Sequence, residues 1–395
     1  MISRIVVRNF RSLRDTTLEL RNRNVLIGAN KSGKSNVLDA LSVLVQNIGV
    51  ADVAKPINDR GGFANIIWKG EGTASHPLNQ LAAPRPIEFQ LDGYLNVKDR
   101  SVRFSYQIAI AGDLQGQIAI KHETLDMVVD DSKRRLIEIS DGRGSARRLD
   151  GSEVFSNPGD PKKPALAYDV PGWEAGALRQ EVMLWQFYDL IPLTAQRTVN
   201  PAVAVSFMDP NGANLSSWLH TIRVNHSTDF ERISKVVREA FPEIESLGTI
   251  VTQAGTTFLT TREKHLQSPL TILDASAGQL KFIALVSLIY SPFAVPLIML
   301  EEPENHLHPR LLELLVDIAN QRAAETKGQV AQSIITTHSP YLVDLLEPED
   351  IVLVSKRDGA TEVHRPTSGD ELRRLMRESE STLGRLWFSG SLGNV

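Results

Sequence analysis

The sequence predicts an α/β protein in which a mixed, largely parallel sheet is joined by an inserted β-rich lobe and a helical subdomain. Three observations carry this. A short apolar run at 24–27 leads into the glycine-containing stretch Gly28-Ala29-Asn30-Lys31-Ser32-Gly33-Lys34-Ser35, and 36–45 then shows helical spacing through Val37, Leu38, Leu41, Leu44 and Val45. From 86 to 129 the pattern is that of strands. From Pro269 onward, helix-like and strand-like segments alternate.

Taken in order, residues 1–85 contain a β-rich opening (4–10), an alternating stretch (17–20) and the strand at 24–27. Residues 86–170 form the lobe, whose strands end near 129; Gly, Asp, Arg and Pro make 140–172 read as turns. Residues 171–267 read as helical, with 173–190 and 228–241 the clearest members. Residues 268–395 return to the α/β pattern, with a helix at 279–290 and strands at 296–300 and 330–337.

Composition narrows the function classes. Forty-three Lys and Arg face 47 Asp and Glu, a formal net charge of −4, so any basic surface must be local. Cysteine is absent, which excludes disulfides, thiolate nucleophiles and Cys-ligated zinc, and fits a reducing compartment. The charged start, MISRIVVRNF, does not read as a secretory signal. The apolar run 280–300 is long enough to span a bilayer. Lys281, Ser287, Ser291, Pro292 and Pro296 interrupt it, so a buried helix, a turn and a buried strand fit better. The expectation is a cytoplasmic protein with no membrane contact.

The stretch 28–35 fits G-x-x-x-x-G-K-[ST] in the required setting, after a strand and before a helix. Its glycines let backbone N–H groups wrap phosphates, Lys34 sets a cation on the β and γ oxygens, and the Ser35 hydroxyl is a Mg²⁺ ligand. Asn30, Gly33, Lys34 and Ser35 are therefore nucleotide-binding candidates. The apolar strand 296–300 runs into Glu301-Glu302, and two acids ending a buried strand suit a cation. Glu301 is the candidate metal ligand and Glu302 the residue that orients attacking water. A further strand ends at His338, where an imidazole can reach a γ-phosphate.

These residues resemble ATP-binding-cassette-type ATPases, in the branch shared by the RecF, SMC and overcoming-lysogenization-defect (OLD) proteins. Ile5 to Ser12 looks like that branch's first strand, and Asp274-Ala275-Ser276-Ala277-Gly278-Gln279-Leu280 resembles its signature motif. The run from Leu300 to Pro309 is similar to the Walker B motif and D-loop of OLD-like members, and Thr337-His338-Ser339-Pro340 to the switch-histidine motif. Glu301 stands in place of the commoner Asp, Ala277 in place of Gly, and His308 where transporter-type members carry Asp. The resemblance covers 1–50 and about 268–345. It implies a P-loop ABC-type ATPase head that binds ATP and Mg²⁺ as a homodimer. Lys34 and Ser35 of one copy, with Ser276, Gly278 and Gln279 of the other, would sandwich each ATP. It also implies that Arg11 reaches the nucleotide.

Beyond ATP the expectations spread. Arg4, Arg8, Arg11, Arg14, Arg21 and Arg23 crowd the first 23 residues and read either as a DNA-binding face or as a solvated strand edge. Lys133-Arg134-Arg135 and Arg147-Arg148 add basic spots. His306 and His308 are read as contact and hydrogen-bonding residues rather than metal ligands. OLD proteins continue into a nuclease, but no Asp-x-Asp occurs here, and Glu325-Thr326-Lys327 has only the E-x-K form. The leading expectation is an ATP-gated dimeric switch in DNA repair or antiviral defence, working with a separate effector such as a nuclease or toxin. The alternatives are a regulatory scaffold that binds ATP and controls a toxin, and a transporter's nucleotide-binding subunit.

Overall fold

Two compact units emerge from the chain: Met1–Trp185 with Ile351–Pro366, and Gln186–Asp350 with Thr367–Val395. They are seen in a computed structural model that describes residues 1–70, 85–113, 116–190, 197, 199–326, 330–366 and 369–390. Lys327, part of the E-x-K run, lies outside these described residues.

The first unit contains β1 (Ile2–Phe10), β2 (Leu13–Glu19), β3 (Arg23–Ile27), α1 (Lys34–Gly49), α2 (Ala54–Asn58), α3 (Phe63–Ile66), β4 (Ile87–Val97), β5 (Arg100–Gly112), β6 (Ile118–Val129), β7 (Ser132–Ser140), β8 (Arg143–Arg147), β9 (Glu153–Ser156) and α4 (Gly176–Met183). After the excursion into the second unit, β17 (Ile351–Arg357) and β18 (Ala360–His364) return to it. Eight strands form one antiparallel sheet, ordered β2-β1-β4-β5-β6-β7-β8-β9. The turn-like reading of 140–172 therefore misses two strands: β8 is short and Gly- and Arg-rich, with little β signal of its own, and β9 is a run of only four residues.

Alternation along these strands sorts the two faces. One face is apolar, with Ile5, Leu91, Tyr106, Leu125 and Ile137 in successive register and all buried. The other is a mosaic of opposite charges. Arg4 pairs with Glu19 and Asp92, Arg8 with Asp15 and Glu88, and Asp126 with Lys133 and Arg135.

One acid sits on the apolar face. Glu123, 1% exposed, lies in register between Ile108 and Ile139. Tyr106 Oη (3.0 Å) and the backbone N–H groups of Leu166 (2.9 Å) and Ala165 (2.6 Å) donate to it, pinning the 3₁₀ turn Ala165–Ala167. Burial outweighs these donors and pushes its pKa from 4.5 up to about 7. Between those values the folded chain holds a proton that the unfolded chain has released, so this group's contribution to stability falls as pH rises from about 4.5 to 7. Glu123→Gln should remove that downward contribution; urea denaturation of both proteins at pH 5, 6, 7 and 8 would show it as a flatter stability profile. Parallel profiles for the two proteins would count against it.

The second unit contains β10 (Gln186–Tyr188), β11 (Asn200–Pro201), α5 (Leu215–Asn225), α6 (Ser227–Ala240), β12 (Ile244–Val251), β13 (Thr256–Glu263), β14 (Leu270–Thr271), α7 (Ala277–Ile289), β15 (Leu297–Glu301), α8 (Pro309–Glu325), β16 (Gln332–Thr337), α9 (Pro340–Asp344), α10 (Gly369–Glu378) and α11 (Leu383–Phe388). Strands β10, β15 and β16 are parallel neighbours, while β11, β13 and β12 form an antiparallel sheet with β14 attached to β13. The expected helix at 173–190 is real only over α4. Gln186–Tyr188 instead pairs with Ile298–Leu300, so tertiary pairing overrides the local helical spacing. The stretch expected to be wholly helical also contains the β12–β13 hairpin. The run 280–300 resolves into α7, a turn and β15. Helix α7 is mostly apolar and buried, packs against α6 and α8, and places Phe282, Ile283 and Val286 in one core with Trp218, Phe230 and Leu315. Among the described residues no helix is long and apolar enough to cross a membrane.

Candidate functional site

The phosphate loop belongs to the first unit. Strand β3 lies parallel to β17, and the chain leaves its carboxyl end through Gly28 to begin α1 at Lys34. Gly33, at φ 111°, is the N-cap of α1 and supplies no side-chain acceptor to the first-turn N–H groups. Both glycines are required by close approach. A Cβ on Gly28 would collide with the Val354 carbonyl of β17, and one on Gly33 with the Thr361 hydroxyl of β18.

Thr361 clamps this loop. Its Oγ1 donates to the Ser32 carbonyl (2.8 Å) and lies 2.6 Å from Ser12 Oγ, while its N–H donates to the Ser12 carbonyl (2.7 Å). Asn36 Nδ2 donates to the same Ser12 hydroxyl (2.6 Å). Neither Ser12 nor Thr361 stands out in the sequence, since the two find each other across 349 residues. Lys34 is buried at 4% exposure, its Nζ donating to the carbonyls of Gly28 (2.8 Å) and Ala29 (3.2 Å). Asn30 and Ser35 are exposed. Arg11, at φ 48°, forms an ion pair with Asp39 (2.8 Å), a carboxylate that also takes Arg60 (2.7 Å).

The acids and the histidine belong to the second unit, at the carboxyl ends of β15 and β16. Glu301 ends β15 in register with Thr336. Glu302 then turns into the left-handed region, φ 42°, while its N–H still donates to the Thr336 carbonyl (3.1 Å). Its side chain is held on both oxygens: His338 Nε2 lies 3.1 Å from Oε1, and Asn305 Nδ2 donates to Oε2 (2.7 Å). With Nε2 carrying the proton, the imidazole donates to Oε1. A carboxylate fixed in this way presents a defined lone pair to a water molecule.

Three groups escape a reading of sequence alone. Glu304 Oε1 accepts from Thr337 Oγ1 (2.6 Å) and from the His338 N–H (3.0 Å), fixing the backbone that carries the imidazole. Lys281, 2% exposed on α7, donates to the Glu302 carbonyl (3.0 Å). Burial lowers its pKa to about 8 against the opposing pull of Glu304, Asp189 and Glu302. Asp189, just beyond β10, has its own pKa raised by burial. A basic residue inside an apolar helix was the one available signal.

The signature segment opens α7 in the same unit. Ser276 is its N-cap and forms a capping box: the Gln279 N–H donates to Ser276 Oγ (3.1 Å), and the Ser276 N–H donates to Gln279 Oε1 (2.9 Å). Ser276 is exposed and, with its oxygen accepting, keeps its own proton to donate. A Cβ on Gly278 would lie 2.9 Å from the His306 carbonyl, so this glycine lets the helix start pass close to the segment after Glu302. His308 caps α8, its Nδ1 accepting from the Arg310 N–H (3.2 Å). No group of three or more potential metal-binding His, Cys, Asp or Glu side chains occurs among the described residues.

The loop fits a nucleotide's phosphates: it is lined by glycines at which a Cβ would collide, and the exposed Ser35 beside Lys34 offers a hydroxyl of the kind Mg²⁺ takes beside phosphate. In the second unit, Glu301 is a carboxylate of the kind that ion also takes. Fold and motifs together define a P-loop ATPase head. Residues 1–138 match the family described as an AAA ATPase domain, and residues 195–344 match the AAA domain family described as putative AbiEii toxin, type IV toxin–antitoxin system. An SMC head bound to the C-winged helix domain of ScpA superposes with a TM-score of 0.57 at 12% identity, covering 94% of this chain and 99% of that one. An Smc head with an extended coiled coil, bound to a ScpA C-terminal domain and derived from Pyrococcus furiosus, gives 0.50 at 12% identity, covering 96% and 99%. At that identity the fold is what is shared. No curated protein matches the sequence. Two AAA-type ATPase domain families thus match separate stretches of the chain, and its fold is that of SMC heads.

The Thr361 clamp is testable. Thr361→Val keeps the shape and removes the hydroxyl that holds the Ser32 carbonyl. ATP affinity, measured by isothermal titration calorimetry, should weaken roughly five- to tenfold, the usual effect of losing one buried hydrogen bond. Unchanged affinity would mean that the loop keeps its shape without the clamp.

Proposed function

We propose that this chain hydrolyses ATP as a dimeric switch, with Glu302 orienting the attacking water. The observation that carries this reading is the fixed Glu302 carboxylate, held by His338 and Asn305 where β15 ends. Lys34 and the N–H groups of the loop take the β and γ phosphates, and Arg11 moves from Asp39 to the nucleotide. Magnesium, held by Ser35 and Glu301, neutralises phosphate charge when bound. Ser276, Gly278 and Gln279 of a second copy close on the γ-phosphate, where the positive end of α7 favours negative charge. Closure with ATP and opening after hydrolysis form the two states that a separate effector protein reads, in DNA repair or antiviral defence.

A second reading is favoured by one finding, the toxin–antitoxin description of the family matching 195–344. In that reading the chain is a scaffold that binds ATP, hydrolyses little and restrains a toxin. Single-turnover hydrolysis separates the two. DNA contact, where it occurs, draws little from Arg4 and Arg8, whose charges are met by neighbouring acids. A log–log salt dependence of DNA binding would count the cations that do take part.

Lys34→Ala should abolish ATP binding, and Glu302→Gln should bind ATP normally while phosphate release falls by about 100-fold or more. If Glu301→Gln alone shows that second behaviour, the two acids exchange roles. Lys34→Ala and Ser276→Arg chains, each nearly inactive, should recover activity when mixed and shown to exchange, because one of the two composite sites is then intact. A head that uses its own signature segment gives no recovery at any ratio.

A further inference from the structure

We infer that Lys281 is a positioning residue for hydrolysis, fixing Glu302 through its main-chain carbonyl rather than through its carboxylate. The inference rests on the reading of Glu302 as the water-orienting acid. Most of the anchors of Glu302 belong to the strand-end segments themselves: the Thr336 carbonyl takes its N–H, His338 and the Asn305 side chain take its carboxylate, and the Asn305 N–H donates to its carbonyl. One more comes from elsewhere. Lys281 Nζ donates to the Glu302 carbonyl at 3.0 Å, from five residues past the N-cap of α7.

This carbonyl belongs to a residue with φ 42°, a backbone state uncommon for a residue with a side chain. The Asn305 N–H within the turn already donates to this carbonyl (3.2 Å), and Lys281 adds the second bond, the one that ties it to another element. The cost of that donor argues for a task. Position 281 lies between Leu280 and Phe282 in a helix buried on all sides, and a 2%-exposed ammonium there forfeits hydration that a leucine or methionine would not need. Glu304, Asp189 and Glu302 surround the charge and keep it ionised, and Glu304 in turn holds the His338 N–H. Lys281 therefore joins the helix that begins at Ser276 to the acid that acts on ATP. A displacement of α7 is felt first at the Glu302 backbone.

The test is a split between binding and turnover, read on the full-length protein. Lys281→Met, which suits the apolar surroundings, should bind ATP within about threefold of wild type by calorimetry while kcat for phosphate release falls roughly 30-fold or more, as misplacement of an acting group does. Lys281→Arg, which restores charge and donors, should recover to within about fivefold of wild type. A methionine variant with kcat within about threefold of wild type overturns the inference, as does a parallel loss of affinity and turnover, or an arginine variant as slow as the methionine one. Should the methionine variant not fold, Lys281→Leu replaces it; it too lacks a donor, and a kcat reduced by less than about threefold overturns the inference equally. Wild type and Glu302→Gln run alongside. If those two release phosphate at the same rate, the ATPase reading itself falls and takes this inference with it. If they differ while Lys281→Met equals wild type, only the role of Lys281 falls.

Discussion

The left-handed turn at Glu302 is the constraint around which the acid end of the second unit is organised. A strand that continued straight would carry Glu302 past the strand ends and away from His338. Turning at φ 42° brings the carboxylate to the imidazole while the N–H stays on the neighbouring strand. Such a conformation costs of order 1–3 kcal/mol and persists only where its surroundings over-determine it. Here they do: Thr336 takes its N–H, His338 and Asn305 its carboxylate, and the Asn305 N–H with Lys281 its carbonyl. Close packing at Gly278 brings the helix start within reach of the same turn.

How much of this is legible in the sequence depends on how local the signal is. The phosphate loop is contiguous, and its flanking strand and helix are written in the same 25 residues, so β3, the loop and α1 fall close to where the pattern puts them. Glu301, Glu302 and His338 were legible for the same reason, each closing a run of apolar residues. Ser12, Thr361, Lys281, Asp189 and Glu304 were not, because nothing beside them names their partners. The missed strands have a related cause. Gln186–Tyr188 is a strand only because Ile298–Leu300 lies beside it, and the Gly- and Arg-rich β8 only because β7 does.

The arginines of the opening strands show why a charge count misleads. In the sequence they form a basic cluster; in the fold, Arg4 and Arg8 each stand between acids from strands on either side. An exposed mosaic of this kind contributes little to stability, with exposed pairs typically worth under about 1 kcal/mol. Its more useful effect is to leave the open face of a long antiparallel sheet near neutral and hydrated. One acid of the sheet, Glu123, is instead hidden on the apolar face, where it fastens a connecting turn.

The bond between Thr361 and the Ser32 carbonyl spans 329 residues. During synthesis the phosphate loop is made well before β17 and β18, the strands that shape it. Residues 186–350 of the second unit must be translated in between. A nascent chain therefore carries all the residues of the loop long before it carries the loop's finished form. Competence to hold nucleotide arrives late and all at once, after the acids and the signature segment have been made. Removing β18 would take away the Thr361 clamp and loosen the loop from a distance, without touching a single residue of it.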